Sequence, residues 1–176
     1  MPTARAELPK LGDMMMPAIE DSAGFAQAAE AATSSTSVSF TLPRYTATPR
    51  DRETIAACLV LEAASQGDFG MRAVMAVIRN RARGLPELFV PTVLREKQFS
   101  ALNKVTAGRE SLATAIGRAR RDRMWPLALD IVNHAMDDSW HDPTGGATHY
   151  TRAAERTHWT RSLAKTTTIG AHSFYR

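Results

Sequence analysis

A lone glutamate, Glu62, ends the apolar run Ile55-Ala56-Ala57-Cys58-Leu59-Val60-Leu61 and stands beside a glycine-containing turn. A carboxyl held against apolar neighbours loses solvation of its charged form and is driven toward protonation. That is the state a general acid needs in order to protonate a glycosidic oxygen. The plain alternative is a solvated glutamate at a helix end. Other side chains offer recognition chemistry. Gln98 and Thr144 carry an amide and a hydroxyl suited to N-acetyl and hydroxyl groups, and Tyr150, Trp159, Phe174 and Tyr175 have faces that stack on sugars or fill a core. Asp142-Pro143-Thr144-Gly145-Gly146 reads as a tight turn whose glycine pair permits positive φ and a close approach of backbone to ligand. His172 reads as a hydrogen-bonded structural residue or as part of a site.

Competing chemistries find less support. His134 and His141 lie near Asp137 and Asp138, but no His-Glu-x-x-His pattern occurs and three convergent ligands do not emerge, so no metal or cofactor is expected. Cys58 is the single cysteine, which excludes an intrachain disulfide, and its apolar surroundings read as those of a buried, inert thiol. The formal charge of +4 is unevenly spread: residues 1–48 hold three basic and five acidic side chains, the remainder 19 and 13. A basic domain favours nucleic acid, an anionic membrane, or a cell wall bearing carboxylates and phosphates. The run Arg118-Ala119-Arg120-Arg121-Asp122-Arg123 has no recognition module around it and reads as a solvated face, so nucleic acid is not the expected partner.

The order of motifs narrows the choice. Glu62-Ala63 is followed by Gly70, eight residues after the glutamate, and by an apolar helix ending in Asn80-Arg81. Phe89-Val90-Pro91-Thr92-Val93-Leu94 and Gln98-Phe99-Ser100 come next, then Asp142-Pro143-Thr144-Gly145-Gly146-Ala147 with Tyr150 behind it. The chain closes on Ile169-Gly170-Ala171-His172-Ser173-Phe174-Tyr175. From about Ile55 to Tyr175 these blocks resemble the SleB-type (spore cortex-lytic enzyme-like) cell wall hydrolases. The resemblance implies a lysozyme-like α+β domain acting on the β-1,4 bond between N-acetylmuramic acid and N-acetylglucosamine in peptidoglycan glycan strands. It places Glu62 at the catalytic glutamate and makes Gln66, Gln98, Thr144, Gly145, Tyr150 and His172 the candidate substrate-binding residues.

Many members of that family carry a second glutamate four residues after the first, where this chain has Gln66. On a continuous helix Gln66 would share a face with Glu62 and could hydrogen-bond sugar, but it cannot be a second acid or base. Ordinary glycosidases need two carboxylates, about 5–5.5 Å apart for retention or about 6.5–9.5 Å for inversion. Asp68, Asp137, Asp138 and Asp142 are the available partners, and Asp68 and Asp142 both read as turn residues. A lytic transglycosylase needs only one carboxyl, so the sequence favours transglycosylation over hydrolysis.

The elements that must position these groups follow from periodicity. Pro49-Arg50-Asp51-Arg52-Glu53 opens a helix through Thr54–Ser65. Gly67 and Gly70 bracket a turn, and Met71–Ala82 is a second helix closed by Gly84 and Pro86. Further helices are expected over Pro91–Arg95, Arg109–Arg118 and from Pro126 through Leu127–Met136. Short β runs are expected at Ala147–Tyr150, Thr166–Ile169 and His172–Tyr175. Helices first and a small C-terminal β region last make an α+β domain over residues 49–176.

Residues 1–48 differ in kind, being rich in Ala, Ser, Thr, Pro and Met with a Ser34-Ser35-Thr36-Ser37 run. They bury too little apolar surface to fold alone. A helix over Pro17–Ala32 and a short strand over Val38–Leu42 are the regular elements they could form. We read them as an extended or docking tail, which could seat the domain on phage-tail or injection-particle proteins. No apolar run approaches the roughly 20 residues of a membrane span, and Met1–Met16 lacks the apolar core of a signal peptide. The expected place of action is the bacterial cell wall, reached free or carried on a particle. The alternatives are a particle component with a vestigial hydrolase domain and a hydrolytic muramidase.

Overall fold

The computed structural model describes residues 45–136, 140–155 and 157–176. The elements expected over Pro17–Ala32 and Val38–Leu42, and the carboxylates Asp137 and Asp138, lie outside the described residues.

Helix α1 (Pro49–Ala63) begins at a capping box: the Thr48 hydroxyl accepts the Asp51 N–H, and the Asp51 carboxylate accepts the Thr48 N–H. The Tyr45 hydroxyl donates to the same carboxylate at 3.0 Å, so the helical unit takes in Tyr45 and Thr48. Together these donors hold the Asp51 carboxyl below its ordinary range, the Thr48 N–H foremost. From Thr54 to Val60 every residue of α1 is buried, because α2, α3, α5 and α6 all pack against it. A helix that is apolar all round is a core helix, and each large side chain such as Ile55 or Leu59 contributes roughly 1.5–3 kcal/mol there. Burial also pushes the Cys58 thiol well above its ordinary value.

A 3-10 turn over Ala64–Gln66 and Gly67, at φ 68°, reverse the chain into α2 (Gly67–Arg81). The second helix thus starts earlier than expected, and Gly70 belongs to it instead of to a turn. Gly70 is there for proximity: a Cβ on it would sit 2.1 Å from the Cβ of Gln66. Short helices α3 (Phe89–Val93), α4 (Asn103–Thr106), α5 (Leu112–Ala119) and α6 (Trp125–Ala135) complete the helical layer. The basic run after α5 is partly engaged, since Arg118 pairs with Glu110 and Arg120 with Glu53.

The β region is an antiparallel sheet of β1 (His149–Arg152), β2 (Lys165–Ile169) and β3 (His172–Tyr175), ordered β1-β3-β2. Tyr150 lies opposite Phe174, and Arg152 opposite His172. Phe174 packs with Ala147 and with Ala73 and Val77 of α2 in a small second core, which fixes the sheet to that helix. Mostly helical with a small C-terminal sheet, the fold is the α+β arrangement expected. No helix among the described residues is long and apolar enough to cross a membrane.

Candidate active site

Glu62 stands on the last turn of α1, half-buried, where the core helix reaches the surface. Its Oε1 accepts the Ala101 backbone N–H at 2.7 Å and the Ser100 hydroxyl at 3.1 Å. Its Oε2 accepts the Tyr150 hydroxyl at 2.9 Å. The apolar cage expected around this carboxyl is therefore a set of aimed donors, because the Ser100–Leu102 turn and strand β1 both close on the helix end. Burial, and next the Glu62 charge, push the Tyr150 phenol well above its ordinary value, so it remains a hydroxyl donor through the neutral range.

The carboxyl opens into a cleft of about 570 Å³. Leu61, Ser100, Tyr150 and Thr151 line it together with Gln98, His172 and the charged Arg81, Lys97, Arg152 and Glu155. A second hollow of about 350 Å³, bordered by Arg118 and Asp122, also meets Glu62. The carboxyl thus borders two concavities.

The motif blocks of the sequence converge on this cleft through hydrogen bonds. At the end of α2, Asn80 donates to the Asp142 carboxylate and to the Ala147 carbonyl, both at 2.9 Å. Arg81 donates to the Thr148 carbonyl at 2.7 Å and the Gln98 carbonyl at 3.1 Å, with its guanidinium 5.0 Å from the centre of the Phe99 ring. Burial pulls the Arg81 guanidinium down from its ordinary value, opposed by Tyr150, Cys58 and Glu62. Two side chains at one helix end therefore hold the Gln98 segment and the entry to β1 in register with Glu62.

Of the residues proposed from sequence, the structure brings Glu62, Gln98, Tyr150 and His172 together in the cleft. His172 is 8 % exposed, with its Nδ1 buried and unpaired and its ring 5.2 Å edge-on from Tyr150. Gln66, Thr144 and Gly145 do not line it. The 3-10 turn swings Gln66 off the Glu62 face, and its carbonyl oxygen accepts the Ala171 N–H at 2.7 Å, clasping the β2–β3 turn. Thr144 is fully buried, and its N–H and hydroxyl both donate to Asp142. Gly145 serves the same turn at φ 65°. Burial raises the Asp142 carboxyl, but the donors Thr144, Asn80 and Gly146 outweigh it and hold the group below its ordinary range, as befits a structural carboxylate. Asp68 is paired with Arg72 at 2.8 Å. Phe174 is core, and Trp159 stacks edge-on with Tyr175 and tilts against His149.

Sequence reasoning missed the Ala101 N–H, Ser100, Lys97, Arg152 and Glu155. A backbone donor has no sequence signal, whereas Ser100 stood in a motif block and was passed over as a site residue. Glu155 is exposed and accepts the Thr151 hydroxyl at 3.0 Å. Among the described residues no three His, Cys, Asp or Glu side chains gather as a metal would require, and His134 Nδ1 lies 2.9 Å from the Asp130 carbonyl oxygen.

The fold is similar to the catalytic domain of the germination-specific lytic transglycosylase SleB from Bacillus anthracis, at 23% identity and a TM-score of 0.55, covering 77% of this chain and 100% of that one. It is likewise similar to the catalytic domain of the Bacillus cereus SleB protein, at 22% identity and a TM-score of 0.53, covering 77% and 95%. No curated protein sequence matches the chain. The cell wall hydrolase family model matches residues 65–175, beginning just past Glu62 and taking in Gln98, Ser100, Tyr150 and His172. A match over most of the chain, with those residues gathered around one gripped carboxyl, shows that this protein belongs to the cell wall hydrolase family.

Proposed function

We propose that this protein degrades peptidoglycan by cleaving the β-1,4 bond between N-acetylmuramic acid and N-acetylglucosamine through lytic transglycosylation, with Glu62 as general acid and then base. The observation that carries the reading is the Glu62 carboxyl itself, gripped by Ala101, Ser100 and Tyr150 at the wall of a polar cleft. In the first step Glu62 gives its proton to the glycosidic oxygen as the bond from that oxygen to the muramoyl anomeric carbon breaks. The departing N-acetylglucosamine keeps the proton as a new hydroxyl. In the second step the Glu62 carboxylate takes the proton of the muramoyl 6-hydroxyl while that oxygen attacks the anomeric carbon. A 1,6-anhydro ring forms, Glu62 is protonated again, and no water is consumed. The likeness to a domain described as a lytic transglycosylase supports this route.

One observation favours hydrolysis as the second reading: Glu155 lines the same cleft and could activate a water. Product analysis separates the two. Transglycosylation yields muropeptides lighter by one water that take up no label from heavy-oxygen water, whereas hydrolysis yields labelled reducing ends. Glu62→Gln keeps the acceptor for the Ala101 N–H, so the variant is expected to fold with residual activity at or below about 1 %. A folded Glu62→Gln protein that keeps most of its activity would remove Glu62 from the mechanism.

We read residues 1–48 as a docking segment that carries the domain to the wall, with a phage tail or injection particle as the bearer. Their acidic balance against a basic remainder supports this reading. A vestigial domain is the less supported alternative, because the carboxyl, its donors and an open cleft are all present.

A further inference from the structure

Two cations on the rim of the cleft are left without work by the mechanism above. Lys97 belongs to the turn Arg95–Gln98, closed by the Gln98 N–H on the Arg95 carbonyl at 3.2 Å. It occupies the third position of that turn at φ 60°. Such a position favours glycine or asparagine, and a long side chain there is strained. Strain at the mouth of a cleft is where a functional requirement overrides local preference. The Lys97 side chain is 84% exposed, and its partner among the described residues is the neighbour Glu96, itself 70% exposed, at 3.4 Å. Arg152 comes from a different element, the end of β1. It is exposed and lines the same cleft, and among the described residues no ion pair engages it.

The charge balance of the cleft points the same way. Arg81, Lys97 and Arg152 face Glu62 and Glu155 across it, and Glu62 is uncharged whenever it acts as an acid. Arg81 is tied down on two carbonyls, so Lys97 and Arg152 are the cations with donors to spare. A muramoyl sugar carries a lactyl ether that ends either in a free carboxylate or in a peptide with carboxylates of its own.

We infer that Lys97 and Arg152 form an anion-reading rim that binds the carboxylate on the substituent of the muramoyl residue at the cleavage site. This inference rests on the glycosidase reading and adds a substrate preference to it. The rim selects carboxylate-bearing glycan over glycan in which that charge is absent. Both side chains are solvated, so each contact is worth what an exposed ion pair is worth, a factor of about three, and the pair together about tenfold.

The test uses the full chain and three glycans: strands with intact peptide stems, strands stripped to the free lactyl carboxylate, and stripped strands with that carboxylate converted to a methyl ester. The quantity measured is kcat/KM on each charged glycan divided by kcat/KM on the ester. We expect a ratio of about ten for the wild-type protein, falling about threefold in Lys97→Gly and about threefold in Arg152→Gln. The ratio should also collapse between roughly 0.01 M and 1 M salt, as the Debye length shrinks from about 30 Å to about 3 Å. A higher ratio for stemmed strands assigns the peptide carboxylates as ligand; a higher ratio for stripped strands assigns the lactyl group. Glycine suits the turn better than lysine, so Lys97→Gly should melt at or above the wild-type temperature. A ratio near one in the wild type, a ratio untouched by both substitutions, or a Lys97→Gly protein that melts earlier would overturn the inference. If the wild-type protein cuts none of the three glycans, the glycosidase reading falls with it, whereas equal cleavage of all three overturns the rim alone.

Discussion

Glu62 and His172 occupy one cleft, yet their surroundings differ. Glu62 meets three donors, whereas His172 sits almost enclosed with its Nδ1 unpaired. Burial lowers the His172 pKa from its ordinary 6.5, and Arg152 acts in the same direction, while Glu62 and Glu155 pull it back up. The neutral ring is therefore the folded form at pH 7. Unfolded, the histidine binds a proton near pH 6.5; folded, it waits for a lower pH. The unfolded state holds more protons in that window, so the stabilisation is complete above pH 6.5 and is lost as pH falls through the folded value. His149 has the same sign, because burial and then Arg81 lower its pKa too. We expect the melting temperature to fall as pH drops below about 6.5, and His172→Phe to flatten part of that fall. The same slope in the variant would show that His172 does not titrate with unfolding.

At the level of helices and turns, the joint between α1 and α2 decides how the sheet meets the site. Gln66 is clasped between Gly70 of α2 and the β2–β3 turn, where Gly170 holds φ 56° and a Cβ would lie 2.4 Å from the Gln66 oxygen. A methyl group at Gly70 collides with the Gln66 Cβ, a stem atom that cannot swing aside as a side-chain tip could. Gly70→Ala should therefore cost about 1–3 kcal/mol, the usual toll of overpacking, even though alanine is the better helix former. It should also free the Ala171 N–H, seen as faster amide exchange there. A Gly70→Ala protein as stable as the wild type would mean that the joint adapts freely. The sequence suggested a turn at Gly67–Gly70 because glycine is the commonest turn signal, and half of that was right. Gly67 has the positive φ. Gly70 owes its place to a neighbour brought there by the fold, a reason that local pattern does not record.

Taken as one body, the described chain is a core helix whose C-terminal end bears Glu62, surrounded by segments that supply donors to its carboxyl. Thr48 and Tyr45 cap that helix, so where a truncation falls matters more than how much it removes. Deleting residues 1–44 should leave lysis of isolated walls near normal, while abolishing retention on any bearing particle. Deleting residues 1–48 should cost about 1 kcal/mol more, since it removes the Thr48 cap. Thermal melts and turbidity assays of the two truncations check this; loss of folding in the shorter deletion would contradict the docking role of the segment.

The α+β order, the apolar helix ahead of Glu62 and the family were legible in the sequence, because each rests on residue type and spacing along the chain. The short strands were found within two residues, for alternation is a local signal. Which side chains face Glu62 was a different matter. Gln66 was assigned to the sugar on the assumption that the helix continues, but the 3-10 turn rotates it onto the β2–β3 turn. Thr144 was assigned by its chemistry, and the Asp142 turn consumes it. Ser100, Ala101 and Tyr150 reach Glu62 across 38, 39 and 88 residues, and the tertiary contacts alone decide that they meet. Local pattern specifies elements through backbone sterics and apolar periodicity; a site made of donors from distant segments exists only once the core has packed and fixed their relative positions.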